Sequence, residues 1–337
     1  MGKGTFIGNN QVVEFLKRAV RDQFFVHAYL FAGPSKIGKF SLAKDFAKSV
    51  LCQNINRTRA NKFCGKCDGC LQFDKGLHAD FHLLQKDDDK KNIPIEAIRS
   101  FQEKFYRTSL LTDRKVGIID TADTLNIEGA NALLKTLEEP PGKSIIILIS
   151  DNLDSLPSTV ISRCQVLPFT IVSRSEIVAM LEDIGCSRST ANTISPLSLG
   201  RPGIAVEFYK NSNKLERYTK AVRELIKIYD NSIAEKFSFI QHFLGSRKYQ
   251  EKLEGATELL SQISIIIRDC VLIKSELEKQ IVNISELSAL KKLSLVFTYS
   301  DLISQQKKVQ SIKDKLVNNI NPQLALENYF LTMKAYA

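Results

Sequence analysis

The sequence predicts an α/β protein, with a parallel-sheet domain first and helices from there to the end. Three observations carry that expectation. Tyr29–Ala32 is a short apolar strand leading directly into Gly33-Pro34-Ser35-Lys36-Ile37-Gly38-Lys39 and a helical stretch, Phe40–Leu51. Ser144–Ser150 is rich enough in isoleucine to be covered on both faces, as strands of parallel sheets are. After Phe169 the strand-like runs stop, and apolar residues recur at helical spacing between Lys and Glu.

The chain has 337 residues, enough for two or three domains with cores of their own. A hydrophobic content of 44% and a charged content of 25% are ordinary for globular proteins, and no uncharged apolar run is long enough to cross a bilayer. Met1–Gly8 lacks a basic region followed by an apolar one, so a cytoplasmic location is expected. The net charge of +10 favours phosphate backbones or acidic protein surfaces as partners, without choosing between them.

Gly33 to Lys39 has the form Gly-x4-Gly-Lys between a strand and a helix. In such a loop backbone N–H groups and the helix N-terminus cradle the phosphates of ATP or ADP, and Lys39 neutralises them. The next position, where a Ser or Thr hydroxyl normally holds Mg²⁺, is Phe40. Ser41 is rotated about 100° around the helix and does not simply replace it. Normal Mg²⁺ binding is therefore not expected, and a strand-to-helix turn that binds nothing is the competing reading. Lys36 would be strained if the loop needs positive φ there.

Cys52, Cys64, Cys67 and Cys70 follow, spaced Cys-x11-Cys-x2-Cys-x2-Cys. Two short steps aim successive thiolates at one ion and Cys52 closes the set, as in a structural tetrahedral zinc site. Reduced thiols or a redox dithiol are the alternatives. Arg57, Arg59, Lys62 and Lys66 would offset the thiolate charge. Cys164, Cys186 and Cys270 stand singly and read as small core residues.

Lys115–Asp120 is a second apolar strand ending in an acid suited to orienting Mg²⁺ or its water. Thr121 follows, and a threonine is no general base at neutral pH. Asp123, three positions after Asp120, is a candidate substitute base, though it reads better as the start of the turn into the next helix. In the helical half, Ser173-Arg174-Ser175-Glu176 has the form of a capping box, Ser173–Tyr209 reads as a small helical lid, and Gly200–Gly203 opens its last helix. Leu215–Ile228, Leu253–Ile273 and Leu302–Val317 are amphipathic. Asp87-Asp88-Asp89-Lys90-Lys91 is a short charged loop.

From Phe6 to about Phe169 the order of landmarks resembles the AAA+ clamp-loader family of bacterial DNA polymerase III. The resemblance is carried by His27-Ala28-Tyr29-Leu30-Phe31, the glycine loop, the cysteines, His78-Ala79-Asp80 and Asp120. It is sharpest in Asn131-Ala-Leu-Leu-Lys-Thr-Leu-Glu-Glu-Pro-Pro141 and Ser162-Arg163-Cys164. It implies an AAA+ P-loop domain over 1–170 with a zinc module at 52–70, a helical lid over 171–210 and an all-α collar over 211–337. It makes Gly33, Gly38, Lys39, Phe40 and Asp120 a degenerate nucleotide site and puts the first sensor near Ser150 and Asp151. Gly203 falls where hydrolysing members carry a phosphate-sensing arginine, Thr121 where they carry the catalytic glutamate, and Arg201 would face elsewhere. Intrinsic ATPase activity is therefore not expected.

Arg163 is retained. The resemblance makes it an arginine finger acting in trans on a neighbouring ATP site, with a surface ion pair as the competing reading. The implied partners are gamma/tau-type and delta-type subunits in a pentameric ring, with the sliding clamp and primed DNA reached through the complex. Two other functions stay open: an ATP-hydrolysing gamma/tau-like motor, and a zinc-stabilised DNA-binding adaptor outside any clamp loader.

Overall fold

The computed structural model describes residues 6–54, 62–87, 92–317 and 320–333. Arg57, Arg59 and the run Asp88–Lys91 lie outside the described residues, as does the beginning of Met1–Gly8. The chain forms two compact units, one containing the residues up to Arg188 with Gly200–Ala205, the other Ser189–Leu199 and the residues from Val206 onward.

The first unit is built on five parallel strands: β1 (Ala28–Ala32), β2 (Phe81–Leu84), β3 (Lys115–Ile119), β4 (Ser144–Ser150) and β5 (Gln165–Pro168). Their order is β2-β3-β4-β1-β5, and Leu30 of β1 pairs with Leu148 on one side and Val166 on the other. Every residue of β1, β3 and β4 is buried, the condition their apolar runs require. β2 and β5 carry no comparable signal. Each is a four-residue edge strand, half exposed, too short for a pattern to register.

Helices of this unit are α1 (Asn10–Asp22), α2 (Lys39–Val50), α3 (Asp68–Asp74), α4 (Ile95–Tyr106), α5 (Ile127–Glu138), α6 (Ser158–Ile161) and α7 (Arg174–Asp183). Phe101 and Phe105 of α4 press onto β3 where it carries Gly117; a Cβ there would lie 2.4 Å from both rings. The capping box at α7 forms, with Ser173 accepting from the Glu176 N–H and Glu176 accepting from the Ser173 N–H.

One end of the sheet is held by two buried charges. Asp80 accepts hydrogen bonds from the N–H groups of Leu110, Leu111 and Thr112 at 2.8, 2.9 and 2.8 Å. Burial by itself would raise its pKa, but these bonds and the Thr112 hydroxyl together hold it below the ordinary value. Lys115 points its ammonium at the last carbonyls of α4, donating to Lys104 at 3.0 Å and to Arg107.

The helices α8 (Arg188–Leu197) and α9 (Pro202–Lys210) follow, and the division between the units runs through them. The second unit continues with α10 (Ser212–Ile228), α11 (Ile233–Leu244), α12 (Tyr249–Lys274), α13 (Leu287–Val296), α14 (Tyr299–Val317) and α15 (Pro322–Leu331). α12 packs against α10, α11, α13, α14 and α15, and its Leu259, Leu260, Ile263, Ile266 and Cys270 are fully buried. No helix among the described residues is long and apolar enough to cross a membrane.

Asp80→Ala is expected to destabilise the first unit by roughly 3 kcal/mol, since it strands several buried donors. The folded-state pKa lies below the ordinary 3.8, so ionised Asp80 stabilises the fold above that value and the benefit is lost as pH falls through the folded pKa. Urea unfolding of wild type and variant should therefore differ at neutral pH and converge as pH drops below 3.8.

Candidate functional site

The loop from β1 to α2 takes the shape its glycines permit, with Gly33 at φ +150° and Gly38 at φ +103°. Lys36 also lies in the left-handed region, at φ +61°, which costs a non-glycine residue roughly 1 kcal/mol. The strain is offset by a contact: the Lys36 carbonyl accepts the N–H of Gly203 at 2.8 Å. A Cβ on Gly203 would lie 2.7 Å from that oxygen, so this position is a close backbone contact that admits no side chain.

Lys39, only 4% exposed, turns inward. Its ammonium donates to the Pro34 carbonyl at 2.7 Å, to Asp151 Oδ1 at 2.7 Å and to the Gly33 carbonyl. Three N–H donors thus have three oxygen acceptors, one of them a full negative charge. Asp151 is held in turn by Asp123, whose carboxylate accepts the Asp151 N–H at 3.0 Å. A phosphate approaching this loop meets a lysine already neutralised and a carboxylate that repels it.

Phe40 is half buried, with the Lys44 ammonium 5.6 Å from its ring centre. Phe6 packs edge-on against Phe169 and stands 2.9 Å from where a Cβ on Gly38 would be. Asp120 sits one residue beyond β3, accepting from the Thr121 N–H at 3.0 Å and from Gln85 Nε2 at 3.2 Å. Thr121 has φ +53°, an unusual conformation for a β-branched residue, and its hydroxyl donates back to the Asp120 carbonyl at 2.7 Å. That hydroxyl is spent on backbone.

The four cysteines converge. Their Sγ atoms all lie within 4.8 Å of one another, with Cys52 to Cys67 at 3.9 Å and Cys64 to Cys70 at 4.0 Å. Zn–S bonds of about 2.3 Å in a tetrahedron give sulfur separations of about 3.8 Å, so the set fits a zinc ion, whereas disulfide bonding requires about 2.05 Å. Cys52 follows α2, Cys64 lies in the connecting loop, and Cys67 caps α3 by accepting the Cys70 N–H. N–H groups of Lys66 and Cys67 pull the Cys64 thiol down to about 6, while burial pushes the Cys52 and Cys70 thiols up. Buried sulfurs that resist ionising alone are those a cation would turn into ligands. Lys48 bridges to Asp74 at 2.5 Å and ties α2 to α3 across the cluster.

Arg163 lies just past α6. Its Nε and Nη2 donate to Glu138 Oε1 at 2.7 and 2.6 Å, and Nη1 donates to the Thr159 carbonyl at 2.9 Å. The side chain stays 36% exposed. Sequence reasoning missed Asp151 as the partner of Lys39 and Glu138 as the partner of Arg163. Asp151 was visible as a strand-end residue, but no local pattern marks a pair 112 residues apart.

The family model described as "DNA polymerase III, delta subunit" matches residues 8–179, and the one described as "DNA polymerase III, delta subunit, C terminal" matches residues 247–334. The DNA polymerase III subunit delta' of Bacillus subtilis is 29% identical over 96% of this chain and 95% of that protein. Its counterpart in Pseudomonas aeruginosa is 39% identical over 41% of each chain. The B. subtilis tau subunit is 35% identical over 53% of this chain and 31% of its own length. With a family model spanning half its length and a delta' relative matching nearly all of it, the chain belongs to the delta-subunit family of DNA polymerase III, on its delta-prime side.

Proposed function

We propose that this chain is a delta-prime-type stator of a DNA polymerase III clamp loader, hydrolysing little or no ATP itself and supplying Arg163 in trans to a gamma/tau-type neighbour. The observation that carries the reading is the contrast between two cations. Lys39 is consumed inside its own loop by Asp151 and two carbonyls, whereas Arg163 stays on the surface with donors to spare. Phe40, Thr121 and Gly203 support it, each removing a group that Mg²⁺-dependent hydrolysis uses. The degenerate site of Gly33, Gly38, Lys39, Phe40 and Asp120 then serves as framework, and any ATP or ADP it took would be held without normal Mg²⁺ coordination.

In this reading gamma/tau-type and delta-type subunits complete a pentameric ring, held through the helical collar over 211–337. The ring opens the sliding clamp and sets it on primed DNA in the cytoplasm. Cys52, Cys64, Cys67 and Cys70 hold one structural zinc. The positive net charge aids tracking of duplex phosphates through weak, salt-sensitive contacts.

Three measurements test the proposal. Arg163→Ala in a reconstituted complex should reduce turnover at the site it serves by about a thousandfold, with loss of clamp loading; unchanged DNA-stimulated ATPase and loading contradict the finger. The chain alone should show no Mg²⁺-dependent ATP turnover, whereas turnover abolished by Lys39→Ala would reinstate the motor reading. Metal analysis under reducing conditions should find one zinc per chain, and chelation should lower the melting temperature; a zinc-free, equally stable protein overturns the metal assignment.

A further inference from the structure

Glu138 is the last residue of α5, where the exposed carbonyls of the helix make a carboxylate unfavourable unless a cation faces it. Arg163 is that cation, and the pair has a specific geometry. A guanidinium has five N–H donors. Glu138 Oε1 takes one from Nε at 2.7 Å and one from Nη2 at 2.6 Å, and the Thr159 carbonyl takes one from Nη1 at 2.9 Å. Ser162 Oγ, at 3.4 Å from Nη1, is a long fourth contact. The donors left over are on the terminal nitrogens, the edge with which arginine meets phosphate oxygens.

We infer that Glu138 is a positioning residue for Arg163, gripping one edge of the guanidinium so that the terminal edge is presented, already oriented, to a phosphate bound by a neighbouring subunit. The inference rests on the trans role proposed for Arg163. Glu138 is well placed for the task because α5 is immobilised beneath it: Leu133 and Leu137 are fully buried, and the helix packs on α4 and α6. A long side chain that must find one geometry loses rotamer freedom on doing so, and a partner that fixes it beforehand removes that cost from the reacting complex. Glu138 itself is 48% exposed, and an exposed ion pair adds little to stability. Its removal therefore acts on the finger, not on the fold.

The test uses the reconstituted clamp-loader complex carrying Glu138→Ala, Glu138→Gln, Arg163→Ala or Glu138→Ala with Arg163→Ala, with partner ATPase and melting temperature both measured. Glu138→Ala should lower kcat and kcat/KM for ATP together by about ten- to a hundredfold, the scale of a small misplacement of a catalytic group, at an unchanged melting temperature. Glu138→Gln keeps an acceptor and should fall between it and wild type. Adding Glu138→Ala to Arg163→Ala should cost nothing further. If Arg163→Ala slows turnover while Glu138→Ala runs at the wild-type rate or faster, or if the double variant is slower than Arg163→Ala, the positioning role is overturned and the finger stands. If Arg163→Ala has no effect, the finger falls and the positioning role with it.

Discussion

Burying β1 on both faces is the constraint from which the rest of the first unit follows. A strand between two parallel neighbours, with helices above and below, exposes chemistry only at its ends. The carboxyl ends of β1, β3 and β4 deliver the loop of Lys39, then Asp120, then Asp151. Because β4 lies directly beside β1, Asp151 is brought to Lys39 by sheet order, although the chain between them runs through the cysteine module and helices α2 to α5.

That adjacency explains how the glycine loop accommodates a buried lysine. A buried ammonium without partners costs several kcal/mol, and a loop that bound no nucleotide would have to discard it or pair it. Here it is paired. The Gly33 and Pro34 carbonyls and Asp151 together satisfy it, and Asp123 holds Asp151 by its backbone, which gives the Asp123 carboxylate a structural task. The same pattern recurs at Thr121, whose hydroxyl closes on the preceding carbonyl of Asp120, and at Gly203, whose N–H holds the strained Lys36. At both positions a backbone carbonyl is the acceptor, and the second contact ties down the glycine loop.

What was legible in the sequence is what local chemistry determines. Ser144–Ser150 is a strand over its expected range because its unbroken apolar run, Ile145–Ile149, is buried on both faces, and the Ser173 capping box forms because both partners lie within one helical turn. The cysteine spacing drew four sulfurs to one point, since two tight steps leave them little choice. Strain at Lys36 was also readable, because a tight glycine loop passes through conformations that favour glycine. β2 and β5 escaped because an edge strand of four half-exposed residues has no pattern to show. The capping box of Ser232 and Glu235 at α11 was equally local and was passed over. Lys39 with Asp151 and Arg163 with Glu138 were illegible for another reason: they join residues whose proximity is a product of the tertiary fold.

Arg163 shows how the two readings of one side chain come together. The residue just past α6 lies at the surface while residues on either side turn in: Val160 is fully buried, and Cys164 is partly buried against the core, which pushes its thiol up to about 12. Two inward anchors fix the backbone, and the residue between them is left at the surface. An arginine there is permanently charged whatever its neighbours do, unlike a lysine, whose proton can be lost on burial. The ion pair with Glu138 is therefore not an alternative to a finger, because it occupies one edge of a fork that has two. A surface ion pair that left no terminal N–H unspent would argue against action in trans; this one leaves such donors on a side chain still partly open to solvent.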